Sequence, residues 1–205
     1  MIGIIDYGRG NLFSLTSALE YLGYKYVLIV NAEELSRDFE KIILPGVGAF
    51  GDAMIQLKKK NFIKKIKMIK TKNIPILGIC LGMQLFATKS YEFSENNGLN
   101  FIPGEVKKIF NEGNFRIPNV GWRKLRGKSS KEKTVFNFDK MMYFVHSYAY
   151  IPKNPQSIKS YITLGNVDIP AIVQKDNVIG FQFHPERSGE HGLVLLKWFL
   201  EYFNK

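Results

Sequence analysis

The sequence predicts an α/β fold: an open, mainly parallel central sheet with helices on both faces, and an antiparallel extension in the second half. Two patterns and the length lead there. Apolar runs alternate with helical patterns as far as about residue 98, and that rhythm implies parallel strands joined by crossover helices. Beyond it, short alternating segments are separated by turn residues, which reads as antiparallel pairing. The 205 residues suit a single domain over 1–205, large enough to bury ~70% of its unfolded surface without disulfides or a structural metal.

Met1–Asp6 is a near-continuous hydrophobic run and predicts a buried strand, ending at the turn Tyr7-Gly8-Arg9-Gly10. Asn11 is placed to cap a helix with Leu12, Leu15, Leu19 and Leu22 on its apolar face, stopping at Gly23. Tyr24–Val30, Lys41–Leu44 and Ile74–Ile79 predict three more strands. Between the last two, Leu57, Phe62, Ile63, Ile66 and Ile69 keep helical spacing among lysines, as in an amphipathic helix with a solvated basic face. Gly104–Phe110, Met142–His146, Ser157–Leu164, Ala171–Gln174 and Val178–Phe183 are the strands of the second half. A closing helix runs from about Gly189, apolar at Leu193, Leu196, Phe199, Leu200 and Phe203. Lys124–Lys133 is polar enough to be a surface loop.

Lys and Arg outnumber Asp and Glu by 29 to 18, a net charge of +11. Only six of those 29 are Arg, whereas base readout favours the bidentate guanidinium. The densest run, Lys58 to Lys72, is accounted for by the helix face, so no nucleic-acid partner is expected. No apolar run approaches the ~20 residues of a membrane span. No signal peptide is visible at the start, and a cytoplasmic protein is expected. The single cysteine excludes an internal disulfide and a Cys-based zinc cluster, and no metal or cofactor is expected.

That cysteine lies in Gly78-Ile79-Cys80-Leu81-Gly82-Met83-Gln84, where a hydrophobic strand runs into G-x-C-x-G and then a helical pattern. This is the thiol counterpart of the nucleophile elbow, a strained turn that projects one side chain above the sheet. A helix N-terminus beneath it favours thiolate over thiol. The nucleophile needs a base, and the candidates are His146, His184 and His191. His184 has Glu186 two residues on, and an extended chain held by Pro185 puts both on one side, where the carboxylate can orient the imidazole. His146 reads as a satisfied strand histidine, and His191 lies on the closing helix. At the end of the third strand, Pro45-Gly46-Val47-Gly48 can aim a backbone N–H at an oxyanion. Strand carboxyl ends share one crevice in an open parallel sheet, so this turn and Cys80 should face each other.

P-G-V-G, G-I-C-L-G-M-Q and H-P-E, in this order, resemble the class I (triad) glutamine amidotransferases. Asp6–Asn11, Val47–Met54, Val120-Gly121-Trp122, Tyr143–Tyr148 and Phe181–Gly189 narrow the likeness to the glutaminase subunits of imidazole glycerol phosphate synthase, from residue 1 to about 203. The resemblance implies that Cys80, His184 and Glu186 form a triad that hydrolyses L-glutamine through a thioester. It implies an oxyanion hole at Val47, Gly48 and Leu81, and substrate contacts at Gly46, Gln84, Ser147 and Tyr148. It also implies a heterodimer with a HisF-type (βα)8 synthase subunit, met by Asn11, Trp122, Arg123 and Arg187. Ammonia would pass to that synthase, which makes imidazole glycerol phosphate and AICAR in histidine biosynthesis.

The chain departs from the family at two places near this face. Pro118-Asn119-Val120-Gly121-Trp122-Arg123 stands for the usual P-H-M-G-W-N, and Arg187 for the Lys after H-P-E. A paralogue amidating a surface-polysaccharide sugar and a stand-alone cysteine hydrolase are the alternatives. A regulatory or nucleic-acid-binding domain without activity is disfavoured by the intact Cys, His and Glu.

Overall fold

Among the described residues, eight strands run side by side, in the order 26–29, 2–5, 41–44, 76–79, 178–181, 167–175, 158–164 and 126–127. The computed structural model describes residues 1–36, 38–110, 115–127 and 139–203. β1 (Ile2–Ile5), β2 (Tyr26–Ile29), β3 (Lys41–Leu44), β4 (Ile76–Ile79) and β14 (Val178–Phe181) pair in parallel. β13 (Val167–Lys175), β12 (Ile158–Leu164) and β9 (Arg126–Gly127) continue the sheet antiparallel. The expected architecture is therefore present, with the parallel and antiparallel parts joined at β14.

Alternation along the strands sorts the core to two faces. Ile2 and Ile4 of β1 pack in one cluster with Leu15 and Leu19 of α1 (Leu12–Tyr21) and Leu196 and Phe199 of α5 (Gly189–Tyr202). Ile5 packs in the other with α2 (Phe50–Lys59) and α3 (Phe62–Thr71). Strands apolar on both sides need such double cover. The predicted lysine-faced helix is two helices. Its break falls at Asn61, whose φ of 59° is left-handed and whose N–H bonds to the Lys58 carbonyl, closing α2. Asparagine tolerates that conformation better than most residues, and Phe62 then turns into the core at 0% exposure. Asn11 does precede α1, but its side chain makes no capping bond and donates instead to Ser14 Oγ at 3.2 Å.

Two smaller assemblies stand beside the sheet. β11 (Tyr148–Pro152), β7 (Gly104–Lys108), β5 (Lys89–Ser90) and β6 (Asn96–Asn97) form one. β8 (Asn119–Lys124) and β10 (Met141–His146) form an antiparallel pair in register from Asn119↔His146 to Lys124↔Met141. The polar segment expected as a loop begins at the end of β8 and includes β9, and its remainder lies outside the described residues. Among the described residues, no helix is long and apolar enough to cross a membrane.

Candidate active site

Adjacent strands β3, β4 and β14 bring three chain segments to one rim, with Gly78 paired to both Leu44 and Gly180. Their carboxyl ends release Pro45–Gly48, Cys80 and His184. β1 lies between β2 and β3, so the chain reverses its order of addition beside this rim, where open α/β sheets collect ligands.

Cys80 sits immediately after β4 at φ 53°, ψ −111°, a conformation that non-glycine residues rarely adopt. The two flanking glycines are needed for close approach. A Cβ on Gly82 would lie 1.8 Å from the Leu44 carbonyl oxygen, and one on Gly78 would lie 2.7 Å from the Gly82 carbonyl. The elbow is thus wedged against β3 by backbone contact. The helix behind it, α4 (Leu81–Gln84), is shorter than expected. The carbonyls of Leu85, Phe86 and Ala87, which would carry it on, accept instead from the N–H groups of Leu99, Phe101, Ile102 and Asn100. Four residues sum only a small dipole, so the expected helix support for a thiolate is slight.

A stronger cation is at hand. His184 Nδ1 lies 2.8 Å from Glu186 Oε1, and both side chains are at most 5% exposed. The pair is not held extended. Pro185 opens a short 3-10 turn, Pro185–Arg187, a position where its missing N–H costs nothing, and the turn swings Glu186 back under the ring. Burial opposes charge on the imidazole, but the Cys80 sulfur and the Glu186 carboxylate together outweigh it and raise the ring to about 10. Nε2 is buried and has no hydrogen-bond partner by distance and angle among the described residues, and the Cys80 thiol acts on the ring.

A cleft of about 660 Å³ opens over these groups. Cys80, Leu81 and His184 line it with Val47, Gly48, Gln84, Ser147 and Tyr148, while Glu186 lies behind His184 and the four residues expected at a partner face are not part of it. Gly46 is buried beneath, where a Cβ would meet the Tyr7 hydroxyl at 2.5 Å. Glu92, Phe93 and Lys108 also line the cleft and were not legible, because they lie on irregular chain or at a strand end with no motif. Glu92 is bound to the Phe50 N–H at 2.6 Å, and partial burial raises its pKa.

In the Pro45–Gly48 turn the Val47 N–H already has a partner. The Val47 N–H donates to the Arg9 carbonyl at 3.2 Å, and Gly48 has φ 96°, which only glycine adopts readily. Arg9 is itself tied to Asp52, at the start of α2, at 2.6 Å. The loop after β1 therefore holds the Val47 N–H.

His146 proves to be a satisfied histidine. Its Nδ1 faces the Tyr148 carbonyl and its Nε2 the Asn119 amide, both at 2.9 Å, and Arg123 Nε donates to Asn119 Oδ1 at 2.9 Å. Burial lowers its pKa to about 4. Folding therefore favours the neutral ring, a contribution complete above about pH 6.5 and lost as pH falls toward 4. Thermal melts should show destabilisation across that window, on the order of 3 kcal/mol in full, and His146→Gln should remove that acid-dependent part. His191 is not among the residues lining the cleft. Of the four residues expected at a partner face, Asn11, Trp122 and Arg187 are exposed and Arg123 is half-buried. Trp122 and Arg187 both pack on Tyr143, at 6.1 and 4.9 Å between centres.

The model of the class-I glutamine amidotransferases matches residues 3–202. The chain belongs to that family. It is 47% identical over 203 residues to imidazole glycerol phosphate synthase subunit HisH of Caldanaerobacter subterraneus, with 98% of each chain covered. With the HisH subunit of Lactococcus lactis it shares 48% over 201 residues, again 98% of each. Among solved structures it resembles a glutamine amidotransferase with a TM-score of 0.76 at 17% identity, over 98% of this chain and 97% of that one. It also resembles PurLQS from Thermotoga maritima, with a TM-score of 0.71 at 20% identity over the same shares. Both structures share the amidotransferase fold.

Proposed function

We propose that this chain, as one amidotransferase domain over its 205 residues, is the cytoplasmic glutaminase subunit of an imidazole glycerol phosphate synthase. It hydrolyses L-glutamine to glutamate and ammonia and passes the ammonia to a HisF-type (βα)8 cyclase subunit in histidine biosynthesis. The near full-length likeness to HisH subunits carries this reading, and favours that acceptor over a polysaccharide sugar.

In the proposed reaction the Cys80 thiolate attacks the side-chain amide carbon of glutamine. The imidazolium of His184 gives its proton to the departing nitrogen, and ammonia leaves a thioester on the sulfur. His184 then takes a proton from water, whose oxygen attacks the thioester, and the C–S bond breaks to release glutamate. Glu186 keeps the ring oriented and stabilises its charged form. Gly46, Gln84, Ser147 and Tyr148 hold the substrate, and the Glu92 carboxylate suits its α-ammonium group. The Leu81 N–H faces the oxyanion together with the N–H groups of Val47 and Gly48, that of Val47 once it has left the Arg9 carbonyl. Asn11, Trp122, Arg123 and Arg187 form the docking face.

This reading makes the isolated subunit a poor enzyme. A withheld oxyanion donor costs ~10²–10³ in rate, which stops ammonia being released with no acceptor bound. Glutamine turnover is to be measured for the subunit alone, with the cyclase, and with cyclase plus acceptor. It should rise by about that factor in the last case. Equal rates in all three would point to a stand-alone hydrolase.

A further inference from the structure

One buried polar side chain touches the nucleophile and has no part in the reaction as drawn above. Gln182 lies between β14 and His184 at 0% exposure, and its Nε2 is 3.7 Å from Cys80 Sγ. We propose that this amide is a further part of the reacting centre, donating a hydrogen bond that favours the sulfur as a charged nucleophile and as a leaving group. The proposal rests on Cys80 being the nucleophile.

Which end of the Gln182 amide faces the sulfur follows from its neighbours. Gln84 Nε2 lies 3.0 Å from the Tyr148 carbonyl oxygen and 2.9 Å from Gln182 Oε1. A carbonyl oxygen only accepts, so the nitrogen of Gln84 must face Tyr148. Having a donor there, Gln182 presents its oxygen to Gln84 and its NH₂ to Cys80. The side chain has little freedom to turn. Its backbone N–H is bound to the Ala171 carbonyl at 2.9 Å, and its neighbours Phe181 and Phe183 stack 5.1 Å apart.

A hydrogen bond to sulfur strengthens when the sulfur is charged. The thiol form has its own acceptor in the Val145 carbonyl, 3.9 Å away, so the two contacts pull the proton equilibrium in opposite directions. In the thioester the sulfur is neutral. When the second tetrahedral intermediate collapses, the C–S electron pair returns to the sulfur, and the same amide stabilises the departing thiolate. Other charged or titratable groups face Cys80 as well. His184 with Glu186 behind it supplies the main positive charge, His146 is held neutral, and the Tyr7 hydroxyl comes from the loop after β1. Glu92 and Lys108 lie across the cleft. Gln182 adds a fixed dipole to that set.

Alkylation of Cys80 by iodoacetamide, followed against pH on the full-length subunit, tests the proposal without needing glutamine or partner. Gln182→Met and Gln182→Leu each remove the donor to sulfur without adding a charge beside it. Each should react about tenfold more slowly than wild type at pH 7. Each profile should have its midpoint at higher pH, with the rates converging where every thiol is ionised. A folded variant with the wild-type midpoint would overturn the proposal, including one merely slower at every pH. Should both variants fail to fold, the wild-type protein decides: the Gln182 side-chain amide resonance should titrate together with alkylation, and an unmoved resonance would overturn the assignment. A wild-type Cys80 that does not alkylate would remove the nucleophile reading itself, and this proposal with it.

Discussion

Cys80→Ala should abolish glutamine hydrolysis by the assembled enzyme, a loss of at least about 10⁴-fold, while the folded structure survives. Alanine has no electron pair to attack an amide carbon, and no second cysteine exists to replace it. The fold should tolerate the change because the wedge around the elbow is made by Gly78, Gly82 and the Leu44 carbonyl rather than by the sulfur. Alanine also suits φ 53° no worse than cysteine does. The measurement pairs glutamine turnover in the presence of cyclase and acceptor with a thermal melt. Near-normal turnover would refute the assignment. Synthesis supported by added ammonium salts should persist in the variant complex, since only the source of ammonia is lost.

The second large effect separates the three histidines. His184→Asn should lower turnover by about 10²–10⁴-fold, because in the proposed reaction both proton transfers pass through that ring. The loss should persist at every pH from 6 to 9, since wild-type His184 is raised to about 10 and stays protonated over that range in the resting enzyme. His191→Asn should leave turnover close to wild type. His146→Gln should act chiefly through stability in acid. Equal losses from the His184 and His191 variants would contradict the triad.

Much of this site was legible because its signals are local. A glycine two residues either side of Cys80 states that the backbone is pressed on another backbone, and the Gly82–Leu44 contact is that pressure made visible. Strand β3 matched its predicted bounds, since an all-buried run needs no partner to be recognised. What was illegible is set by distant chain. The early end of α4 depends on donors at residues 99–102, and no pattern within 81–87 reveals them. The α2–α3 break rests on one left-handed asparagine in a lysine-rich stretch whose period barely changes. The turn at Pro185–Arg187 replaced the extended pair because proline suits the first position of a turn as well as it suits a strand. Glu92 was missed for want of periodicity, and Gln182 because its meaning lies in which end of an amide faces a neighbour.

The place of β14 in the sheet has a consequence for how the molecule comes into being. Gly78 carries the elbow strand, and its parallel neighbour Gly180 belongs to the last strand made. During synthesis from the N-terminus, β1 to β4 can pair while the segment bearing His184 has yet to leave the ribosome. On the proposed mechanism, the nascent chain then holds a thiol without its acid, and unfinished copies should release no ammonia. Closure waits on a contact between residues far apart in sequence, the kind that slows folding most because loop entropy must be overcome first. On that mechanism, activity is acquired no earlier than the step that completes the parallel part of the sheet.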